Sequence, residues 1–330
     1  MKYSDWLVEW LAAKRISTKP ATYAIYALYV HTHIIPSLGE HQIEDLTEEM
    51  IQKAVDDWKT HGNSKTKQGL SKKTVKEIVG VIRQTLKRYS KKYGLKLPSL
   101  EDIDISYTQK AMIIEILSIA EQETLVRAMF KVQNKITMAV AFGLFTGMRI
   151  GEICALKWDS VDSCNMTIHV MNTVQTLYLL DEEGRNGTIE TVEGTPKTEG
   201  SERMIPIPST LSNLLFLFRP SITAGNYVLT GTDRPASPQN IRTGYYRLLN
   251  KLGIRKVKFH ALRHTFGTRA ITCGIDPVCV SMIMGHASPD ITMKLYCHPQ
   301  MDDLRRSMQK LEHNWTLSVD KSNGWVLDKN

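Results

Sequence analysis

Apolar positions in the first hundred residues recur at three- and four-residue intervals, the spacing that lays side chains along one face of a helix. A first helix is predicted from near Ser4 through Trp6, Leu7 and Trp10. A second follows Pro20, whose fixed φ suits a first turn, and carries Tyr23, Tyr26 and Val30 until Pro36 ends it. Thr47 caps a third helix with Met50, Val55 and Trp58. Ser71 caps a fourth, in which Val75, Ile78, Val79, Ile82, Leu86 and Tyr89 form one continuous stripe. Gly94 and Pro98 break the pattern, and the acidic run of Glu101, Asp102 and Asp104 marks the best boundary between two domains.

Beyond that boundary the periodicity is mixed. Helices are predicted over 120–131 and 135–146, strands over 166–174 and 203–207 where apolar and polar residues alternate, and helices again from Leu211 onward. Residues 180–194 are polar and glycine-containing, the character of a long hairpin tip or insertion. Leu304, Met308 and Leu311 have helical spacing, and 315–319 suits a short strand. The predicted fold class is therefore α+β, mainly α with a small antiparallel β-sheet. A chain of 330 residues suits two domains. They are expected at 1–100 and 110–302, joined by a linker at 101–109 and followed by a tail at 303–330.

Composition narrows the class. With 42% hydrophobic and 23% charged residues the chain has a soluble globular profile. Its longest apolar stretch, 138–145, is far short of the roughly 20 residues that a bilayer requires and reads as a core helix. Asp5 and Glu9 interrupt what a secretory leader would keep apolar, so a cytoplasmic protein is expected. Cys154, Cys164, Cys273, Cys279 and Cys297 are scattered and form no C-x-x-C pair; they are expected to be small buried apolar residues rather than a disulfide frame or zinc knuckle.

The net charge of +8 points to an acidic partner, and its distribution is uneven. Residues 1–100 hold seventeen Lys and Arg against ten Asp and Glu, whereas the remainder holds 25 against 24. Within 53–96, thirteen basic residues face only Asp56, Asp57 and Glu77. Lys72, Lys73, Lys76, Arg83 and Lys87 lie opposite the apolar stripe of the fourth helix, and Lys65 and Lys67 precede it. A solvated surface and a DNA-backbone surface share this pattern. The neighbouring, nearly neutral domain favours the second.

Neither glycine-rich nucleotide loop nor H-E-x-x-H is present. Thr146-Gly147-Met148-Arg149-Ile150-Gly151-Glu152 puts a guanidinium and a carboxylate on one helical face, where an ordinary surface pair is also at home. His260-Ala261-Leu262-Arg263 repeats the spacing with a histidine. Asp276 and Pro277 begin a helix that Gly285 ends, which presents His286 from the turn; Ser288 and Pro289 begin the next, and Tyr296 lies two turns along it, where a core tyrosine is also common.

In order and company these motifs resemble the tyrosine recombinases, the family of phage and transposon integrases and chromosome-dimer resolution enzymes. Its pattern of T-G-x-R-x-x-E, a hairpin lysine, H-x-x-R, then G-H followed nine or ten residues later by tyrosine is matched by Arg149, Glu152, Lys197, His260, Arg263, His286 and Tyr296. The resemblance also covers the layout, implying a helical core-binding domain before a catalytic domain, the two closing as a C-shaped clamp on DNA. Lys197 sits just ahead of the returning strand, the family's place for its lysine, although Arg185 and Arg203 share that region.

The resemblance implies cleavage and rejoining of DNA through a 3′-phosphotyrosine and a Holliday junction. Tyr296 would attack, His260 would accept its proton, and Lys197 would protonate the leaving 5′ oxygen. Arg149, Arg263 and His286 would grip the phosphate, with Glu152 holding Arg149. Planar guanidinium forks suit non-bridging oxygens in a way that lysine cannot copy. No metal and no cofactor is implied. The implied partners are double-stranded recombination sites, a homotetramer on two sites with a dimer on each, and accessory DNA-bending or directionality factors. The basic helices and the long hairpin favour a mobile-element integrase over a Xer-like dimer resolvase. The start directly at the core-binding helices suits a simple recombinase or a shortened chain. Two further readings are a non-catalytic DNA-binding relative and a metal-dependent hydrolase. His264 with His286 or Cys297 is a poor zinc grouping, and His264 and His298 are read as incidental.

Overall fold

The computed structural model describes residues 1–62, 66, 68–107, 114–181, 187–194, 202–218, 225–297, 301, 305, 308–309, 317–320 and 324–327. The chain divides into two compact units, one comprising 1–113 with 175–192 and the other 114–174 with 193–330.

Helices α1 (Tyr3–Ser17), α2 (Pro20–Tyr29), α3 (Ile35–Leu38), α4 (Glu48–His61) and α5 (Lys72–Tyr93) form the first unit. Trp6, Trp10, Trp58, Ile78 and Ile82 are among its fully buried side chains. The α5 stripe is the spine of this core. The Ser71 hydroxyl accepts the Thr74 N–H at its start, and Gly94 closes it in the left-handed conformation. Trp6 Nε1 donates to the Thr85 carbonyl at 3.0 Å, which ties α1 to α5. Truncation of a side chain as enclosed as Ile78 to alanine would cost about 2–5 kcal/mol.

Pro36 does not end a helix as the sequence pattern suggests. A π-helical stretch, Val30–Ile34, carries α2 directly into α3, and Pro36 sits in the first turn of α3 just past this wider turn.

In the second unit, α6 (Ile119–Lys131), α7 (Lys135–Thr146) and α8 (Ile150–Ala155) precede the strands β1 (Val161–Asp162), β2 (Thr167–Val170) and β5 (Arg203–Pro206), and most of β3 (Thr173–Leu180) and β4 (Gly187–Gly194), which lie between β2 and β5 in sequence, is grouped with the first unit. Strands β1, β2 and β5 form an antiparallel sheet in that order, with Ile168 opposite Ile205 and Val170 opposite Arg203. Helices α9 (Ser209–Phe218), α10 (Pro238–Lys251), α11 (His260–Thr272), α12 (Pro277–Met284) and α13 (Pro289–Tyr296) follow, and then β6 (Leu317–Asp320) pairs antiparallel with β7 (Gly324–Leu327). Helix α7 is apolar on every side because α6, α8, α9, α10 and α11 all pack on it.

The architecture is thus mainly helical with small antiparallel sheets, as the periodicity indicates. Three details differ. The strand expected over 166–174 is two strands, because Met171 and Asn172 leave the β2 ladder and β3 begins a separate sheet with β4. Much of 180–194 is therefore a paired arm, its side chains exposed or half-exposed, which explains their polarity. Of the cysteines only Cys154 is buried, while Cys164, Cys273 and Cys279 are exposed and Cys297 is half-buried. Cys164 lies in a turn and Cys273 and Cys279 near helix ends, where no core is available to enclose a small side chain. Among the described residues no helix is long and apolar enough to cross a membrane.

Candidate active site

Local capping builds the first part of the site. Gly147, at φ 66°, ends α7, and the Thr146 hydroxyl accepts the Met148 N–H at 3.3 Å. Arg149 then stands at the start of α8. The Glu152 carboxylate accepts its backbone N–H at 2.9 Å and its Nη1 at 2.8 Å. One carboxylate therefore caps the helix and orients the arginine at once.

Glu152 is 3% exposed, and Arg203 of β5 meets it from the other side, Nη2 to Oε2 at 2.9 Å. Burial pushes the Glu152 carboxyl up, but hydrogen bonding and charge from Arg203, with Arg149 added, overcome it and hold the group below the usual carboxylate range.

Three guanidiniums converge on the C-terminal end of α12. Arg203 Nε donates to the Ile283 carbonyl at 2.6 Å, Arg263 Nη1 to the Met284 carbonyl at 2.6 Å, and Arg149 Nη2 to the Gly285 carbonyl at 2.8 Å. These are three consecutive oxygens at the negative end of a helix, where cations are stabilised. Gly285, at φ 65°, is required there: a Cβ would lie 2.9 Å from Arg203 Nη1. Arg263 Nη1 also donates to the Gly147 carbonyl at 2.6 Å. Burial, and then Arg149, pull the Arg263 pKa down to about 9, which still leaves it cationic at neutral pH. Its Nη2 is buried and has no hydrogen-bond partner among the described residues.

The turn after Gly285 presents His286, whose Nδ1 is 2.7 Å from the hydroxyl of buried Thr292. The His286 and Tyr296 rings are stacked at 6.2 Å between centroids. Tyr296 is 6% exposed and lies against Gly267 of α11, where a Cβ would be 2.8 Å from its ring. Its hydroxyl is 2.8 Å from Nδ1 of His264. Burial raises the Tyr296 pKa, opposed by Arg263 and Arg149. Burial depresses both His260 and His286 to about 4, with His264 and Arg263 adding to it at His260 and Arg263 and Arg149 at His286, so both rings are neutral at pH 7. Beside them opens a cleft of about 340 Å³ lined by Met148, Ile150, Arg242, Tyr246, Lys258, Phe259, His260 and Arg263.

The structure thus gathers Arg149, Glu152, Arg263, His286 and Tyr296 into one hydrogen-bonded neighbourhood and sets His260 at its edge. Lys197, Lys65 and Lys67 lie outside the described residues. Lys72, Lys73, Lys76, Arg83 and Lys87 are exposed along α5, although Arg83 also donates to the Leu100 carbonyl at 2.9 Å. The sequence pattern marked Arg203 only as a neighbour of Lys197 in the hairpin region and His264 as incidental, and it did not mark Arg242 or Lys258. His264 sits one turn from His260 on the same helix, which was its only signal. Among the described residues no group of three or more His, Cys, Asp or Glu is placed to hold a metal ion.

Residues 108–303 match the phage integrase family, and residues 2–59 match the N-terminal SAM-like domain of phage integrases. The chain belongs to this family. It is a tyrosine-type site-specific recombinase. A tyrosine recombinase XerC-like protein from Caldanaerobacter subterraneus subsp. tengcongensis is 30% identical over 315 residues, covering 89% of this chain and 77% of the relative. In fold this recombinase is similar to the Tn1549 transposon integrase in complex with a circular intermediate DNA. That likeness has a TM-score of 0.71 at 21% identity and covers 94% of this chain and 100% of the other. A lambda integrase tetramer bound to a Holliday junction is similar with a TM-score of 0.60 at 15% identity, covering 88% and 78%.

Proposed function

We propose that the chain integrates and excises a mobile element by cutting and rejoining duplex DNA through a 3′-phosphotyrosine at Tyr296 and a Holliday junction. The observation that carries this reading is Arg263: a buried guanidinium with a free Nη2, set beside Tyr296 and His286. An anion is the natural occupant of such a place, since a buried donor left without a partner is costly. The phosphodiester would enter the cleft beside His260, take the forks of Arg149 and Arg263 on its non-bridging oxygens, and receive a further donor from His286. Arg242 and Lys258 would hold neighbouring backbone. Lys197 is assigned to protonate the leaving 5′ oxygen, by its resemblance to the family's hairpin lysine.

In this reading residues 1–100 are the core-binding domain, 101–109 the linker and 110–302 the catalytic domain. The α5 cations, with Lys65 and Lys67, bind DNA backbone. A dimer occupies each site and two sites form a tetramer, with accessory DNA-bending or directionality factors as further partners. The tail at 303–330 would dock on a neighbouring protomer. An apolar hollow of about 610 Å³, lined by Val126, Leu144, Phe145, Phe266, Ala270 and Ile275 among others, offers a surface for it.

The test is a nicked recombination-site duplex incubated with the protein in chelator. A denaturation-resistant protein–DNA adduct is expected, lost in Tyr296→Phe, and its absence on a true site would overturn the assignment. The XerC-like relative favours a second reading, chromosome or plasmid dimer resolution. Restoration of monomers in a resolution-deficient host, with no excision of an element, would select it.

A further inference from the structure

His264 is a residue that the family pattern leaves unused, yet its Nδ1 lies 2.8 Å from the Tyr296 hydroxyl. His260, one turn earlier, makes no hydrogen bond to that hydroxyl; its ring meets the edge of the His264 ring at 4.6 Å between centroids. The groups that face His264 are His260 and Arg263 on α11, Tyr296 on α13 and His286 in the turn before α13. The ordinary charges facing it are thus cationic. Burial first and Arg263 second lower its pKa, which keeps the ring neutral. In a neutral ring whose Nδ1 accepts the tyrosine O–H, the proton sits on Nε2. Gly267 leaves the Tyr296 ring room to hold this contact.

We propose that His264, rather than His260, is the catalytic base that accepts the phenolic proton of Tyr296. This rests on the recombinase chemistry above and names a further catalytic residue for it. As the Tyr296 oxygen forms its bond to phosphorus, its O–H bond breaks and the proton passes to Nδ1, giving an imidazolium. The bond from phosphorus to the 5′ oxygen breaks, and that oxygen takes a proton from the ammonium assigned to Lys197. Rejoining reverses each transfer. A phenol of pKa about 10 does not yield its proton to such a weak base before attack, so transfer accompanies bond formation. The imidazolium is then stabilised by the anionic phosphorane beside it.

The experiment measures single-turnover adduct formation on a nicked duplex selected for binding from a randomised pool, across pH 5 to 9. His264→Gln keeps a hydrogen-bonding group but cannot take a proton. A fall of about 10²–10⁴-fold is expected, with DNA affinity unchanged and the acidic limb of the pH profile abolished. His264→Gly should regain rate with added imidazole, which also covers the case in which the glutamine variant folds poorly. A His264→Gln rate within threefold of the parent would overturn the proposal. So would a slow variant with an unaltered pH profile and no imidazole rescue, or loss of the acidic limb in His260→Gln instead. Absence of any adduct with the parent protein would sink the recombinase mechanism itself, a distinct outcome.

Discussion

Arg203 and Glu152 face each other through two hydrogen bonds, Nη2 to Oε2 at 2.9 Å and Nη1 to Oε1 at 3.3 Å, with both side chains almost wholly enclosed. Such a pair adds little over apolar residues of equal volume, but removal of one partner strands the other. Arg203→Met is therefore expected to lower the unfolding free energy by about 3–5 kcal/mol, measured by urea titration. A loss below about 1 kcal/mol would mean that Arg149 alone satisfies the carboxylate.

The neutral histidines make stability depend on pH. Burial, with cations secondary, puts the folded pKa of His260 and His286 at about 4, below the unfolded value near 6.5. The unfolded chain then binds the protons more readily, so stability is complete above about pH 6.5 and declines as pH falls toward 4. Glu152, held below the carboxylate range, adds its own loss only as pH falls past the ordinary glutamate value of about 4.3. The urea midpoint should drop between pH 7 and 5, and drop less in a His260→Gln, His286→Gln double variant. Lowered His264, His31 and His33 supply a residual slope. Parallel profiles for parent and variant would contradict the assignment.

Gly267 tests the seat of Tyr296, the proposed nucleophile. Alanine is the better helix former by about 1 kcal/mol, so Gly267→Ala should fold. Its methyl carbon would nevertheless lie 2.8 Å from the Tyr296 ring and force it to shift. Adduct formation is expected to slow at least tenfold with DNA affinity preserved; an unchanged rate would show that the ring has slack.

The α5 surface has a thermodynamic signature. Lys72, Lys73, Lys76 and Lys87 are exposed and opposite the buried stripe. If all four neutralise phosphates, their replacement by Gln lowers the slope of log K against log salt by about 3–4, since each contact contributes about 0.9. Binding isotherms from 50 to 300 mM salt measure it. A slope that does not move assigns these lysines to solvent.

Much of this was legible from residue order. The α5 stripe with Ser71 and Gly94 at its ends fixed a helix and its buried face, and G-H ahead of Tyr296 marked the turn and the helix that carries it. Arg203 was not legible because its partner, Glu152, is 51 residues away and the pairing depends on β5 joining β2. His264 was passed over since periodicity reports which face a residue occupies, whereas its contact with Tyr296 spans 32 residues. The π-helical stretch escaped for a local reason. One extra residue in a turn leaves no mark in composition.

The consequence of parking three arginines on the carbonyls of residues 283–285 concerns how such a protein can change over time. Those backbone oxygens belong to every sequence variant of α12, so they hold the cations in register without help from any side chain of that helix. Chemistry is thereby uncoupled from target choice. Side chains that read bases can then drift toward a new target sequence while the arginine cluster stays assembled.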